Sequence, residues 1–469
     1  MRLPCFPGLL CWLACGMSLR MANLRTSPKS TPSGVRVRFT CRIPGRHHGE
    51  PASPHAANGM RLTASSFQET QTMFAKVNLS LSLCSSLLLM PILAFAAAPV
   101  LPGIGAAMQK AVDAREISGA VTVVDMKDKI IHCEATGMAG PTNAAPMTPD
   151  TVFWIASMTK PVTATALLML QDEGKLNVSD PVAKYLPEFA GLKTPSGKPA
   201  NLTIAQLMTH TSGLGEASRE SAAKAHTLAD LIPLFLAAPM QFEPGAKWSY
   251  CQSGINTASR IVEVVSGQSF DAFLQQRLFD PLGMKHTTFY PGRLSTASRV
   301  TACNKDKTTG ALEASAPIAG FGDEGRPPLG NGGLFSTGPD YARFCQMLLA
   351  GGTFGGKRYL SPAAMKLLQT PQTGDLHTGF FQSSDADSRG TNYGWGIGTC
   401  ILRAPHPGVA AMLSPGTFGH GGAWGTQAWI DPVRGVAYVL MIQRSDIGNS
   451  DGSDMRRAFQ QAAVDALGK

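Results

Sequence analysis

Hydrophobic and polar positions change rhythm several times along this chain, and each change predicts an element. Residues 105–114 carry apolar side chains at helical spacing, the mark of a first helix. Segments 119–126 and 129–136 alternate instead, with a polar turn at 127–128 between them, and read as a pair of strands. An apolar helix starts near Ser157, runs to about Asp172 and stops at Gly174, a normal C-terminal signal. From about 175 to 300 the pattern is mostly helical, broken at Pro181, Pro187, Pro244, Gly245 and Pro281, and a further short helix covers 340–349. From Tyr393 onward YGWGIGTCIL, AWGTQAWIDP and GVAYVLMIQ read as strands, the last two joined by a turn at 431–435, before a final helix at about 453–467. Strands at both ends with helices between them predict an α/β (α+β) fold. One sheet is assembled from sequence-distant pieces, and a helical region is inserted at about 176–300. No internal repeat is visible.

Charge separates the chain into unlike parts. The first 96 residues hold ten Lys and Arg against two Asp and Glu, which leaves 31 against 30 for the rest. The basic balance therefore belongs to the leader and gives no support for a nucleic-acid surface. Residues 20–72 are rich in Arg, Pro, Ser and His without periodicity, a composition expected to be disordered. Met73 then opens MFAKVNLSLSLCSSLLLMPILAFAAAP. It has a basic start at Lys76, an apolar stretch and the small-residue pattern Ala94, Phe95, Ala96, the layout of a secretory signal peptide. The expectation is a translation start at Met73, a signal peptide at 73–96 and one folded domain at 97–469, with 1–72 an over-extended reading. Serines and Pro91 interrupt the apolar stretch and argue against a membrane anchor. Cys133, Cys251, Cys303, Cys345 and Cys400 are scattered without CxxC spacing, and no HExxH appears, so neither a disulfide framework nor a metal site is expected.

The candidate chemistry lies where the apolar helix begins, in WIASMTKPVTATALLML (154–170). Pro161 lacks an N–H and is tolerated only in a helix's first turn, so the helix must begin close to Ser157. Its hydroxyl then lies at the positive end of the helix dipole. Lys160, three residues on, shares that face, and a lysine in a partly desolvated pocket can accept the serine's proton. The spacing alone is weak, since Ser221 and Lys224 repeat it among Arg219, Glu220 and His226 with no apolar helix following. A GxSxG match at 448–452 fails because the α/β-hydrolase order needs a histidine downstream, and the last histidine is His420.

Six blocks in fixed order carry a wider likeness: ASMTKPVTATALLMLQDEGKLNVSDPVAKYLPEF (156–189), LTIAQLMTHTSGL (202–214), FEPGAKWSYCQSG (242–254), PLGMKHTTF (281–289), GNGGLFSTGPDYARF (330–344) and GHGGAWGTQAWIDP (419–432). Through them the chain resembles the serine β-lactamase and penicillin-binding-protein family, specifically class C β-lactamases and their esterase and D-peptidase relatives. The resemblance implies an antiparallel sheet flanked by helices with a mainly helical subdomain, and a site between them. It makes Ser157 the nucleophile, Lys160 its base and Tyr250 a proton shuttle. The N–H groups of Ser157 and Ala423 become an oxyanion hole, and Gln252, His420, Gly421 and Gly422 line the substrate. It implies no cofactor and a small ester, amide or β-lactam substrate; the signal-peptide layout from Met73 gives the expectation that the protein is periplasmic or secreted.

Two departures stand out: Gln252 where the family has asparagine, and His420 where it usually has lysine. Both disfavour β-lactams, whose carboxylate a largely neutral imidazole holds less well. The expected activity is ester hydrolysis, with β-lactamase or D-peptidase action as the alternative, and a non-hydrolysing binder of penicillin or peptidoglycan fragments as a third reading. Local packing is the lesser alternative for His420. His210 reads as a structural loop residue, and Trp395 and Trp424 as either pocket lining or core.

Overall fold

The structure, a computed structural model, describes residues 100–142, 144–294, 299–316, 325–379, 392–405, 410–447 and 452–468. The leader with its predicted signal peptide, and most of the GxSxG match, lie outside these residues. Numbering the α-helices of five residues or more and the strands of the main sheet, the chain runs α1 (Ile104–Asp113), β1 (Gly119–Asp125), β2 (Ile130–Gly137), α2 (Thr159–Asp172), α3 (Ile204–Met208), α4 (Leu228–Ala237), α5 (Gln252–Ser266) and α6 (Phe270–Leu274). It continues through α7 (Gly338–Leu349), α8 (Pro362–Gln369), β3 (Tyr393–Trp395), β4 (Cys400–Leu402), β5 (Phe418–Gly421), β6 (Gln427–Asp431), β7 (Val436–Met441) and α9 (Asp454–Leu467).

The main sheet is antiparallel in the order β2-β1-β7-β6-β5-β4-β3. Its join is β1 to β7, with Val123 opposite Val439, so strands from the two ends of the chain share one sheet, as expected. Every residue of β1, β6 and β7 is buried. Val121 and Val123 enter a core shared with α2 and α7, whereas Ala120 and Val124 pack with residues of α1 and α9. Covered on both faces, these strands carry near-continuous apolar runs, so the alternation read along 119–126 marks no solvent-facing side of β1. Within 176–300 the described residues form helices and turns and no strand.

The C-terminal strands differ from the sequence pattern. YGWGIGTCIL is a hairpin, β3 and β4, because the chain reverses around Gly398 at φ 74°. AWGTQAWIDP becomes a strand only at Gln427, since Trp424 at φ 72° and Gly425 at φ 104° hold a tight 3-10 turn, Ala423–Gly425, ahead of it. The segment before that turn is itself a strand, β5.

Twelve consecutive residues of α2, Thr159 to Leu170, are buried, so it is a central helix covered on every face. Its threonines are tolerated because their hydroxyls find backbone acceptors: Thr163 donates to Gly330 O at 2.8 Å and Thr165 to Pro161 O at 2.9 Å. Pro161 lies in its first turn, as required.

Candidate active site

Ser157 occupies a 3-10 turn, Ala156–Met158, that leads directly into α2. Ala156 before it is left-handed at φ 46°, a conformation that costs a non-glycine residue about 1–2 kcal/mol. The first bond of the turn is Met158 N–H to Ile155 O at 3.0 Å, so the Ser157 N–H precedes the helical ladder.

Lys160, one turn along, has no exposed surface. Its Nζ lies 3.0 Å from Ser157 Oγ, 3.0 Å from Gln252 Oε1 and 2.7 Å from the Asn331 carbonyl. Burial holds its pKa well below that of an ordinary lysine, with Glu216 and Cys251 acting in the opposite direction. The amine also lies over the Tyr250 ring, 4.6 Å from its centroid.

Tyr250 and Gln252 come from the start of α5. The Tyr250 hydroxyl is 3.3 Å from His420 Nε2, and His420 Nδ1 is 2.5 Å from Gly421 O. A carbonyl can only accept, so Nδ1 carries the proton and Nε2 accepts from the tyrosine. Burial first, and Lys160 second, lower the His420 pKa to about 3. The imidazole is therefore neutral and engaged with Tyr250. Gln252 Oε1 accepts from Asn331 Nδ2 at 2.9 Å as well as from Lys160, which turns its NH₂ away from that pair.

The third wall is β5 and the turn after it. Pairing with β4 ends at Gly419, so His420 and Gly421 have β6 on one side and the Ser157 turn near the other. Gly422 is required by close packing, because a Cβ there would lie 2.1 Å from Thr426 Oγ1 and 2.4 Å from Ile155 O. The turn that begins at Ala423 packs on the Ser157 turn, and Trp424 meets Trp154 edge-on with ring centroids 4.9 Å apart. Ser157, Lys160, Tyr250, Gln252, His420, Gly421, Gly422 and Ala423 are thus assembled at one place from three distant segments.

The sequence pattern did not reveal the support behind them. His210, left-handed at φ 60°, stacks on Tyr250 with centroids 4.3 Å apart and accepts the Cys251 N–H on Nδ1 at 3.0 Å. Trp395 packs edge-on to both His210 and His420, and Trp248 lies beside it. Trp395 is therefore core and site wall at once, a role that reading it as one or the other missed. Asn331 is fixed by Asn256 Oδ1, which accepts its N–H at 3.1 Å. Glu216 accepts from the Gln252 and Ser253 N–H groups. Asn331 falls within the GNGG run, but no local signal marks Glu216. Among the described residues, no cluster of three or more His, Cys, Asp or Glu side chains is placed to hold a metal ion.

A beta-lactamase family model matches residues 104–463. Esterase EstB of Burkholderia gladioli is 28% identical over 388 residues, covering 76% of this chain and 93% of that protein. A putative D-alanyl-D-alanine carboxypeptidase of Escherichia coli O157:H7 is 30% identical over 325 residues, covering 65% of this chain and 71% of that one. Among solved structures, EstCE1, described as a hydrolase with promiscuous acyltransferase activity, superposes with a TM-score of 0.64 at 23% identity, covering 77% of this chain and 97% of that one. The chain belongs to the beta-lactamase family of serine hydrolases.

Proposed function

We propose that this protein is an exported esterase that hydrolyses small carboxylic esters through an acyl-enzyme on Ser157. One observation carries the reading: a fully buried lysine amine lies 3.0 Å from a serine hydroxyl. Gln252 Oε1 and Asn331 O are acceptors only and take the two N–H bonds of a neutral amine. The lone pair is then left for the Ser157 O–H, as general-base activation requires. Oγ attacks the ester carbonyl while its proton passes to Lys160. The N–H groups of Ser157 and Ala423 receive the oxyanion. Tyr250 gives its hydroxyl proton to the departing alkoxide and is reprotonated from Lys160. Water then attacks the acyl group, its proton returning through the same pair to free Ser157. The outward NH₂ of Gln252 contacts the acyl portion, and His420 keeps the Tyr250 hydroxyl oriented between turnovers.

Ester over β-lactam is supported by His420, whose buried neutral ring supplies no positive charge for a substrate carboxylate. The similarity to an esterase along nearly the whole length of that protein supports the same choice. D-peptide or β-lactam hydrolysis is the second reading, favoured by the likeness to a carboxypeptidase. Parallel assays with nitrophenyl butyrate and a chromogenic cephalosporin decide between them. Faster turnover of the cephalosporin would reverse the assignment, and labelling by a fluorescent penicillin without turnover of any substrate would favour a binding protein. Export rests on the segment beginning at Met73. Its test is the mature N-terminus by mass spectrometry, expected near residue 97, and a peptide from 20–72 in the exported protein would contradict it.

A further inference from the structure

Glu216 leaves the family blocks just after TSGL, and its side chain is exposed, yet both its oxygens are committed. One accepts the Gln252 N–H; the other accepts the Ser253 N–H at 3.1 Å and the Ser253 hydroxyl at 2.7 Å. These donors form the first turn of α5, whose own N-cap is Cys251, where the thiol sulfur accepts the Gly254 N–H at 3.4 Å while donating to Leu214 O at 3.6 Å. Sulfur is a weak acceptor, so α5 takes its charged cap from a residue 36 positions upstream. Gln252, held by that cap, is the residue whose Oε1 touches both Lys160 and Asn331. A continuous path therefore runs from the Glu216 carboxylate through the start of α5 to the lysine amine. We propose that Glu216 is a positioning residue for the Ser157–Lys160 pair: it fixes Gln252 against the amine and sets a negative charge facing it.

The inference rests on Lys160 acting as the base. The groups facing Lys160 are Ser157 on its own turn, Tyr250 and Cys251 ahead of α5, His210 after α3, His420 on β5, and Glu216. In that set Glu216 is the carboxylate. Its charge favours the protonated amine, opposing the burial that disfavours it. Removing the charge must move the acid limb of the rate profile to lower pH.

The test is kcat and KM for nitrophenyl butyrate against pH, on the full chain. For Glu216→Gln the acid limb of kcat/KM moves down by about half a pH unit. Its kcat falls about tenfold from the loosened Gln252, with KM held within about threefold. Glu216→Asp keeps the charge but shortens the reach, so its kcat falls while its limb stays with the wild type. Glu220→Gln, a neighbouring carboxylate that touches neither α5 nor Lys160, changes neither quantity. Salt screens an exposed charge, so the wild-type limb also moves down with ionic strength and that of Glu216→Gln does not. A wild-type limb and kcat in Glu216→Gln would overturn the proposal, as would equal limb shifts in the Gln and Asp variants. If Glu216→Gln does not fold, the salt response of the wild type and the Asp variant decide. Ser157→Ala run in parallel separates the two readings: turnover there sinks the esterase mechanism, whereas its loss beside an unaltered Glu216→Gln sinks only this one.

Discussion

The chain contains two serines followed three residues later by a lysine, and the structure places them in opposite surroundings. Lys160 is sealed at the start of a central helix, with Ser157 Oγ, an amide oxygen and a carbonyl as neighbours. Lys224 stands at the end of a single exposed turn, Arg219–Ala222, with its side chain 74% exposed and paired to Glu220 at 3.0 Å. Ser221 meanwhile bonds Ser218, the cap of that turn. The spacing is the same in both, so spacing is not what makes a base. Lys224 keeps its water and a carboxylate partner, whereas Lys160, cut off from water and bonded only to neutral oxygens, is pushed toward the neutral amine that can take a proton.

The largest contrast should come from the serines. Ser157→Ala is expected to cost about 10⁴-fold or more in kcat on a nitrophenyl ester, the scale typical of lost nucleophiles. Ser221→Ala should leave kcat and KM unchanged. Next come the lysines: Lys160→Met should cost about 10²–10⁴-fold, as for loss of a general base, while Lys224→Met stays within about twofold. The same pair sharpens the argument through stability. Because the folded-state pKa of Lys160 is depressed, the unfolded chain binds more protons between the folded and unfolded values, and stability rises with pH across that window. Lys160→Met removes this dependence. It should therefore be more stable than wild type, by about 1 kcal/mol, as when a strained functional site is relieved. Denaturant melts should show the gap narrowing as pH approaches the ordinary lysine range and widening below it, with no such trend for Lys224→Met.

Tyr250→Phe should cost about 10²-fold in kcat, the low end for a lost proton shuttle, while the ring's stack on His210 keeps the fold intact. The smallest contrast is between the helices that carry the two motifs. Leu168→Ala in α2 should cost about 2–5 kcal/mol by denaturant melt, since the residue is fully buried. Ala222→Gly in the exposed turn should cost about 1 kcal/mol or less.

What could be read in advance follows the range of each interaction. Ser157, Lys160 and Pro161 belong to one helical turn, so periodicity and proline chemistry place them together without the rest of the molecule. That strands from both ends share one sheet was legible, because apolar runs at both ends need a common sheet; the pairing of β1 with β7 was not. The strand breaks were not: Gly398 and Trp424 turn the chain through positive φ inside segments that look uniformly strand-like. The stack of His210 beneath Tyr250, the reach of Glu216 to α5, and the double use of Gln252 by Lys160 and Asn331 join residues 36 to 92 positions apart. Such contacts leave no mark on local pattern. His420 shows both sides. Its departure from the usual lysine was visible in sequence, but its hold on the Tyr250 hydroxyl emerged only when β5 was set against the start of α5.

The most direct test of the central claim is to trap the acyl-enzyme. Wild type and Ser157→Ala would be treated with a fluorophosphonate and with nitrophenyl butyrate, quenched in acid, and mapped by peptide mass spectrometry. The adduct should appear on the peptide containing Ser157 in the wild type and nowhere in the variant. An adduct on Ser221 or Ser450, or full ester turnover by Ser157→Ala, would contradict the account.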